Sequence, residues 1–536
     1  LEPLRLIMSG AVVGQELAAE FGPLPPSFLP VGVRRLYELQ VEALGGTGRG
    51  AGGLHMVLPE TFTIPDHDAR RLAELGVEIL PIPEGLRLGE AVVYALNCVG
   101  AGPGAVHLLH GDTLIEAPPL DRSDVIVGGP RANDYAWAEM RVGEGGRVLA
   151  LETSAAGDEG HEGWPIAAGY FSFASASELL RALSRGRGDF IAGLNHYLEA
   201  QPVTLAETAG WLDFGHLQTF FQSRLAVTTA RAFNTVRIDG LTAHKSSADS
   251  AKIRAEAYWL RAAPAPVQLY AARLLASGEA DERLFYETEY EYLPVLSELF
   301  VHGLVGRQAW LRILASCADF LTACAAHRGP GSGDEALAAL CVDKTVQRLE
   351  RHARETGFPI DRPLRFDGAP TPSLLQIAER LVPMLDLQSG RTECVMHGDL
   401  CFSNLLYDSR VRRIRTIDPR GMISDKPSLY GDLRYDLAKL AHSIWGLYDQ
   451  LIAGRYAVTE HDHDFTLSFE PIPAQPWLEA GLAQMTIDGV GGLSIPVRAA
   501  TTSLFLSMLP LHADRPDRQR AFIANALRLW RELDRA

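Results

Sequence analysis

The sequence predicts two folded domains in series, an α/β domain on a mostly parallel sheet over residues 1–232 and a largely helical domain with one β-hairpin over 233–536. Three observations carry this expectation. A chain of 536 residues exceeds one ordinary hydrophobic core, and such lengths divide into two to four domains. Short apolar runs alternate with helical periodicity up to about residue 230, the pattern of a parallel α/β sheet. Beyond about residue 250 the periodicity turns to long helices, interrupted by one dense polar segment at 396–421.

Residues 4–13 (Leu-Arg-Leu-Ile-Met-Ser-Gly-Ala-Val-Val) read as a buried strand ending in a small-residue turn. Residues 54–58, 77–80, 105–109 and 124–128 repeat the theme, with helical stretches such as 34–44 and 89–99 between them. Sheets of this type bind ligands beyond the carboxyl ends of their strands. The second domain predicts helices over 250–262, 295–326, 334–356 and 373–386. The Gly-rich stretches 45–53 and 329–333 predict surface loops. Residues 225–245 contain no Pro/Ser/Gly-rich spacer, so two domains packed together with restricted motion are expected.

Composition narrows the function classes. Hydrophobic residues make up 47% and charged residues 22%, as in folded soluble proteins. A net charge of −16 argues against non-specific nucleic-acid binding, which needs a basic surface. It leaves nucleotide binding open, because a few placed cations and a metal suffice. The six cysteines are scattered with no Cys-x-x-Cys pair, which predicts a reduced, cytoplasmic chain. No segment has the cationic and apolar pattern of a targeting signal, and none approaches the roughly 18–20 apolar residues of a membrane span, so no membrane insertion is expected. Homo-oligomerisation stays open.

The densest chemistry lies in His397-Gly398-Asp399-Leu400-Cys401-Phe402-Ser403-Asn404 and Ile417-Asp418-Pro419-Arg420-Gly421. Asp399, Asn404 and Asp418 form an oxygen-bearing set of the kind phosphoryl transfer needs. One carboxylate orients the attacking hydroxyl, and a hard-oxygen pair holds Mg²⁺ against nucleotide phosphates. The apolar runs 404–407 and 414–417 predict a hairpin under the site, with Asp418 at the end of its second strand.

This segment resembles the aminoglycoside phosphotransferase and choline kinase family, whose His-Gly-Asp-x-x-x-x-Asn and following Ile-Asp are matched without gaps. The resemblance implies an α+β protein-kinase-like domain that uses ATP as phosphoryl donor. It makes Asp399 the catalytic base, Asn404 and Asp418 the Mg²⁺ ligands, and His397 a support of the loop. It also calls for a phosphate-binding lysine fixed by a helix glutamate. Lys245 with Glu256 fits that pair, with Lys252 as the competing lysine. Tyr286–Leu293 fits the hinge strand and places Tyr290 and Tyr292 at the nucleotide. The family's Gly-x-Gly-x-x-Gly loop is absent. In Gly431–Ala438, Asp436 is expected to brace the loop, and Asp432 with Arg420 to meet substrate.

The first domain carries a second set of motifs. Residues 25–44 resemble the Pro-Lys-x-Leu-x-Pro-Val stretch of nucleotide-sugar pyrophosphorylases, and 85–92 their small-residue turn against base and ribose. His110-Gly111-Asp112-Thr113 and Trp211-Leu212-Asp213-Phe214-Gly215 are similar to that family's metal-binding positions. Ala168-Gly169-Tyr170-Phe171 fits its sugar-side strand. The resemblance implies a Rossmann-like nucleotidyltransferase sheet, with Asp112 and Asp213 as metal ligands, Gly10 and Gly89 at the nucleotide, and Arg35 at substrate. The physical requirement is two separated carboxylates converging on a metal between α-phosphate and incoming phosphate. Two departures stand out. The family's Gly-x-Gly-x-Arg loop is replaced by Ser9–Glu16, and its lysine falls on Ser27; either Arg34 or Arg35 supplies the lost charge, or the domain binds a nucleotide without turning it over.

Two functions follow. In one, the chain is bifunctional: it phosphorylates a small sugar or alcohol (sugar, polyol or amino alcohol) with ATP. It then couples the product to a second NTP (CTP, UTP, GTP or dTTP), releasing pyrophosphate, as polysaccharide, cell-wall or lipid-headgroup synthesis would use. In the other, the kinase acts alone beside a degenerate nucleotidyltransferase-like domain. A sugar or polyol predicts polar partners such as Asp432 and Arg420. A choline-type cation predicts an aromatic cage, for which Trp445, Tyr435 and Tyr448 are available.

Overall fold

The computed structural model describes residues 3–46, 53–131, 135–155, 160–161, 163–208, 210–231, 236–247, 249–280 and 283–535. The chain forms two compact units: unit 1, Leu1–Thr228 with His302–Leu304, and unit 2, Thr229–Val301 with Val305–Ala536. The expected junction between residues 232 and 233 lies outside the described residues, as do positions 47–52 of the first Gly-rich stretch.

Unit 1 is built on a sheet of nine strands among the described residues. Strand β1 (Leu4–Met8) pairs in parallel with β2 (Leu54–Pro59) on one side and β4 (Val106–His110) on the other, and β2 pairs with β3 (Glu78–Ile82). These strands read as continuous apolar runs because both faces are covered; Leu6, Ile7, Met56, Val57, Leu108 and Leu109 are all buried. Helices α1 (Leu88–Cys98), α2 (Ala176–Arg185) and α3 (Phe190–Ala200) contribute Val92, Leu96, Leu179 and Leu194 to one core with Leu6, Val57 and Leu108. Beyond β4 the sheet turns antiparallel through β9 (Ile166–Phe173), which pairs with β4 and β6 (Val125–Gly129). The hairpin β7 (Ala138–Val142) and β8 (Val148–Thr153) adds to the start of β9, and β10 (Thr204–Glu207) adds to β6. The chain leaves β1 toward β2 while β4 lies on its other side, so the carboxyl ends of β1 and β4 border a switch-point crevice. A short ribbon of β5 (Thr113–Ile115) and β11 (Trp211–Asp213) returns the chain to that crevice.

Unit 2 opens with a four-stranded antiparallel sheet ordered β12 (Val236–Ile238), β13 (Thr242–Ser246), β15 (Arg283–Glu289), β14 (Leu274–Ala280). Helix α4 (Ser250–Ala262) follows β13, and Asp249 caps it by accepting the Lys252 N–H. The rest is mainly helical: α5 (Arg307–Ala325), α6 (Lys344–Thr356), α7 (Leu433–Ile444), α8 (Ile495–Ser507) and α9 (Pro516–Asp534). Helices α7 and α8 are buried almost all round, which makes them the centre of the core rather than its wall. The hairpin β16 (Leu405–Asp408) and β17 (Arg413–Thr416) lies where the apolar runs placed it.

Two expectations are corrected. The helix expected over 295–326 is two helices, Leu296–His302 and α5; Gly303 and Gly306 between them are poor helix formers. The stretch 329–333 is no surface loop: Arg328–Ser332 is a strand paired with Thr392–Val395. Its glycines admit close neighbours, since a Cβ on Gly331 would sit 2.6 Å from Glu393 Oε2 and one on Gly329 2.7 Å from the Tyr430 ring. Among the described residues no helix is long and apolar enough to cross a membrane.

Candidate functional site

A cleft of about 640 Å³ in unit 2 is lined by Lys245, Glu256, Asp399, Asn404 and Asp418 together. Strand β13 supplies Lys245, whose Nζ lies 2.9 Å from Glu256 Oε2 on α4 and 3.0 Å from Asp418 Oδ1 after β17. Burial would strip the proton from Lys245; Asp418 and Glu256 outweigh it, so the ammonium is held above its ordinary range. Burial also pushes the Glu256 carboxyl up, against the pull of Lys245. Tyr286, opposite Lys245 in the β13–β15 register, donates its hydroxyl to Glu256 at 2.9 Å. Lys252, the competing lysine, is half-exposed and 3.8 Å from Glu256 Oε1, a looser contact than that of Lys245.

The loop 397–404 is fixed from below. Asp436 on α7 accepts the N–H groups of His397 and Gly398, each at 2.7 Å, and burial holds its carboxyl up at about 7 despite both bonds. His397 is fully buried and kept neutral, its pKa pushed down to about 4 chiefly by burial, while its Nδ1 accepts the Asp399 N–H at 3.2 Å. Gly398 adopts φ +77°, and a Cβ there would strike Arg420, so no other residue passes the chain through this turn. Asp418 also lies in the left-handed region, at φ +55°, an uncommon conformation for a non-glycine residue that recurs at functional sites. Asn404 Nδ2 donates to Asp399 Oδ2 and to its carbonyl, both at 2.9 Å.

Asp399 faces the cleft, its side chain 41% exposed, and Lys439 Nζ lies 2.8 Å from its Oδ1. Burial alone would raise this carboxyl; Lys439, with Arg420 and His397, reverses the effect and holds it well below the usual carboxylate range. Lys439 escaped the motif reading because it belongs to no contiguous pattern. Its one sequence signal is the i, i+3 spacing from Asp436, which places both on one face of α7. Lys344 and Arg348 on α6 also line the cleft and were not singled out.

Oxygen donors from Asn404 and Asp418 open on this cleft, and among the described residues no group of three His, Cys, Asp or Glu is placed to cage a metal. That donor set fits Mg²⁺, which keeps water and takes phosphate oxygens rather than an all-protein shell. Arg420 lines the cleft, its Nη1 donating to the Tyr435 hydroxyl at 3.1 Å. Asp432, expected to meet substrate, does not: it is 1% exposed, caps α7 and pairs with Arg434 at 2.7 Å. Tyr290 and Tyr292 lie outside the cleft. The Tyr290 N–H donates to the Leu241 carbonyl at 2.8 Å, and the Tyr292 hydroxyl donates to the Gly240 carbonyl.

In unit 1 the crevice past β4 brings Asp112 and Asp213 together: a Cβ on Gly215 would lie 2.5 Å from Asp112 Oδ2 and 3.3 Å from Asp213 Oδ1. Burial raises the Asp112 carboxyl, opposed by His110 and assisted by Asp213. Asp213 accepts from His216 Nδ1 at 3.0 Å, which pushes that imidazole up, and His216 stacks on Tyr135. This pair of oxygens fits a divalent metal, but the cations that should accompany it are elsewhere. Arg35, expected at substrate, is 3% exposed and pairs with the equally buried Asp68 at 3.2 Å. Arg34 pairs with Glu38 and Glu42. Ser27, at the lysine position, is buried and donates its hydroxyl to the Gly111 carbonyl. Glu16 instead places a negative charge near His216 and Tyr135. The first lysine of the whole chain is Lys245. Gly10 lies against Ile82, and Gly89 sits inside α1 against the Gly188 carbonyl; both are close-packing positions.

No protein-family model matches the chain, and no curated protein matches its sequence. Solved structures do resemble parts of it. A UTP-bound UGPase from Acinetobacter baumannii covers 44% of this chain and 95% of its own, at 13% identity and TM-score 0.34. An aminoglycoside phosphotransferase from Streptomyces rimosus, in complex with ADP and streptomycin, covers 53% of this chain and 98% of its own, at 15% identity and TM-score 0.28. A putative fructosamine-3-kinase from Haemophilus somnus covers 55% and 82%, at 12% identity and TM-score 0.33. The fold class rests on the chain's own topology: unit 1 is a mixed α/β sheet, and unit 2 is an α+β fold with a four-stranded antiparallel sheet ahead of a mainly helical body.

Proposed function

We propose that unit 2 is an ATP- and Mg²⁺-dependent phosphotransferase acting on the hydroxyl of a small molecule. The supporting observation is the meeting of Asp399, Asn404 and Asp418 with the Lys245–Glu256 pair on one cleft. Asp399 stays ionised, so it accepts a hydrogen bond from the acceptor hydroxyl and aims its oxygen at the γ-phosphorus. The new O–P bond forms as the bond from phosphorus to the β,γ-bridging oxygen breaks. ADP leaves, and the hydroxyl proton passes through Asp399 to solvent. Lys245 serves the nucleotide phosphates, held in place by Glu256. Mg²⁺, when bound by Asn404 and Asp418, neutralises phosphate charge. The test is ATP consumption across sugars, polyols, hydroxy acids and amino alcohols. Asp399→Ala abolishes it; activity that survives this change in a folded variant overturns the reading.

For unit 1 we infer a nucleotidyltransferase-like module that keeps its carboxylates and has lost turnover. Nucleotidyl transfer gathers negative charge at the α-phosphate, and at the positions where the resemblance calls for cations Ser27 is neutral while Arg34 and Arg35 are paired to carboxylates. Incubation with CTP, UTP, GTP or dTTP plus the kinase product should release no pyrophosphate. Release would restore the bifunctional reading.

A further inference from the structure

We propose that the phosphoryl acceptor is an anion, a small hydroxy compound carrying a carboxylate or phosphate group, bound by Lys344, Arg348 and Arg420. This rests on the kinase reading of unit 2 and names its substrate class. The chain contains five lysines among 536 residues and carries a net charge of −16, yet four of the five line this one cleft. The cations there divide into two groups. Lys245 is matched by Glu256 and Asp418, Lys252 lies near Glu256, and Lys439 is matched by Asp399. Lys344, Arg348 and Arg420 form no ion pair among the described residues. Arg348 donates to the Ser507 carbonyl at 3.1 Å, and Arg420 leans on Tyr435. Each retains donors.

Their placement is built rather than incidental. Lys344 and Arg348 stand at i, i+4 on α6, so they share a face. Directly before Lys344 the helix runs through one wide turn, Ala339–Asp343, of the kind that concentrates at functional sites. Lys344, Arg348 and Arg420 repel one another, with Asp425 a minor offset at Lys344. Three like charges held together around a cavity are costly until an anion enters. A cationic acceptor would meet repulsion here, and both tyrosines lining the cleft are engaged, Tyr435 by Arg420 and Tyr448 by a stack on His442. In the reaction the acceptor's hydroxyl oxygen gains the γ-phosphoryl group from ATP, ADP departs and one proton is released, while the anionic group takes no part in bond changes.

The experiment compares matched acceptors with ATP: gluconate and glycerate, glycerol 3-phosphate, the neutral polyols sorbitol and glycerol, and the cations choline and kanamycin. Direct titration calorimetry is run on the same compounds. Carboxylates alone responding assigns the anion as carboxylate, and phosphates alone assigns it as phosphate. Arg348→Gln and Lys344→Gln should each raise KM for the anionic acceptor by about tenfold or more, with KM for ATP unchanged. Binding or turnover of neutral or cationic members with none of the anions overturns the proposal and leaves the kinase standing. A shift confined to the KM for ATP also overturns it, because the cations would then serve the nucleotide. Binding of no anionic member by calorimetry overturns it as well. Loss of the kinase reading is a separate outcome: ATP consumption by no acceptor, or consumption indifferent to Asp399→Ala.

Discussion

At the scale of single residues, the site is governed by the Lys439–Asp399 ion pair and by Lys344, which forms no ion pair among the described residues. Lys439 keeps Asp399 ionised, so Lys439→Met should let the Asp399 carboxyl rise toward the ordinary range. A depressed carboxylate is active over the whole working range and fails only as pH falls through its low pKa. Raising that pKa should therefore bring an acid limb into the pH–rate profile, with kcat lower by about 10²-fold or more. Unchanged profiles would separate Lys439 from the chemistry. Lys344 is pushed down to about 7 by burial and by Arg420, Arg348 and Lys439. Between that value and the roughly 10.4 of an unfolded lysine, the folded chain holds less proton than the unfolded one, so stability contributed by this group rises with pH. An anion binding beside Lys344 at pH 8 should then take up protons, read by calorimetry in buffers of different ionisation heat. That Asp399, Asn404 and Asp418 share one cleft was legible because the three lie in one short segment of the chain. Arg35 was misread for the opposite reason: its partner Asp68 is 33 residues away, and only the fold brings the two together. Asp432 was misread in the same way, since its pairing with Arg434 and burial depend on how α7 is packed.

At the scale of elements, α7 holds the site together. Asp432 is its N-cap, its first turn carries Arg434 and Asp436, and its second Lys439, so capping, loop support and charge control are stacked on one helix. Arg434 is 2% exposed and bonds Asp432, Asp334 and the Leu385 and Asp386 carbonyls. Arg434→Met leaves two buried carboxylates unmatched and should cost about 3–5 kcal/mol in urea unfolding. A loss under 1 kcal/mol would mean that the network relaxes into water. Asp436→Asn should be milder for stability and severe for activity, because the amide offers an acceptor to only one of the two loop N–H groups. Strands and most helices were legible from periodicity. The strand Arg328–Ser332 was not, because three of the residues at 329–333 are glycine, and what makes them a strand is the approach of Glu393 and Tyr430 from elsewhere in the chain.

At the scale of the whole molecule, two enzyme-like folds share one chain, and charge distinguishes them. Unit 2 concentrates the chain's few lysines around one cleft, whereas the crevice of unit 1 sets Asp112 and Asp213 beside histidines, with Arg34 and Arg35 paired to carboxylates elsewhere. The two-domain plan was legible in the change of periodicity, and so was the order of the folds. The difference in placed charge was half legible, in the replaced phosphate loop and Ser27, and the burial of Arg35 against Asp68 adds to it. Pyrophosphate release should accordingly be absent with every NTP tried. The central claim is that the chemistry resides at Asp399, and ATP consumption by the full chain with its acceptor tests it most directly, compared among wild type, Asp399→Ala and Asp112→Ala. The expected result is loss with Asp399→Ala and full retention with Asp112→Ala; retention with Asp399→Ala and loss with Asp112→Ala would contradict it.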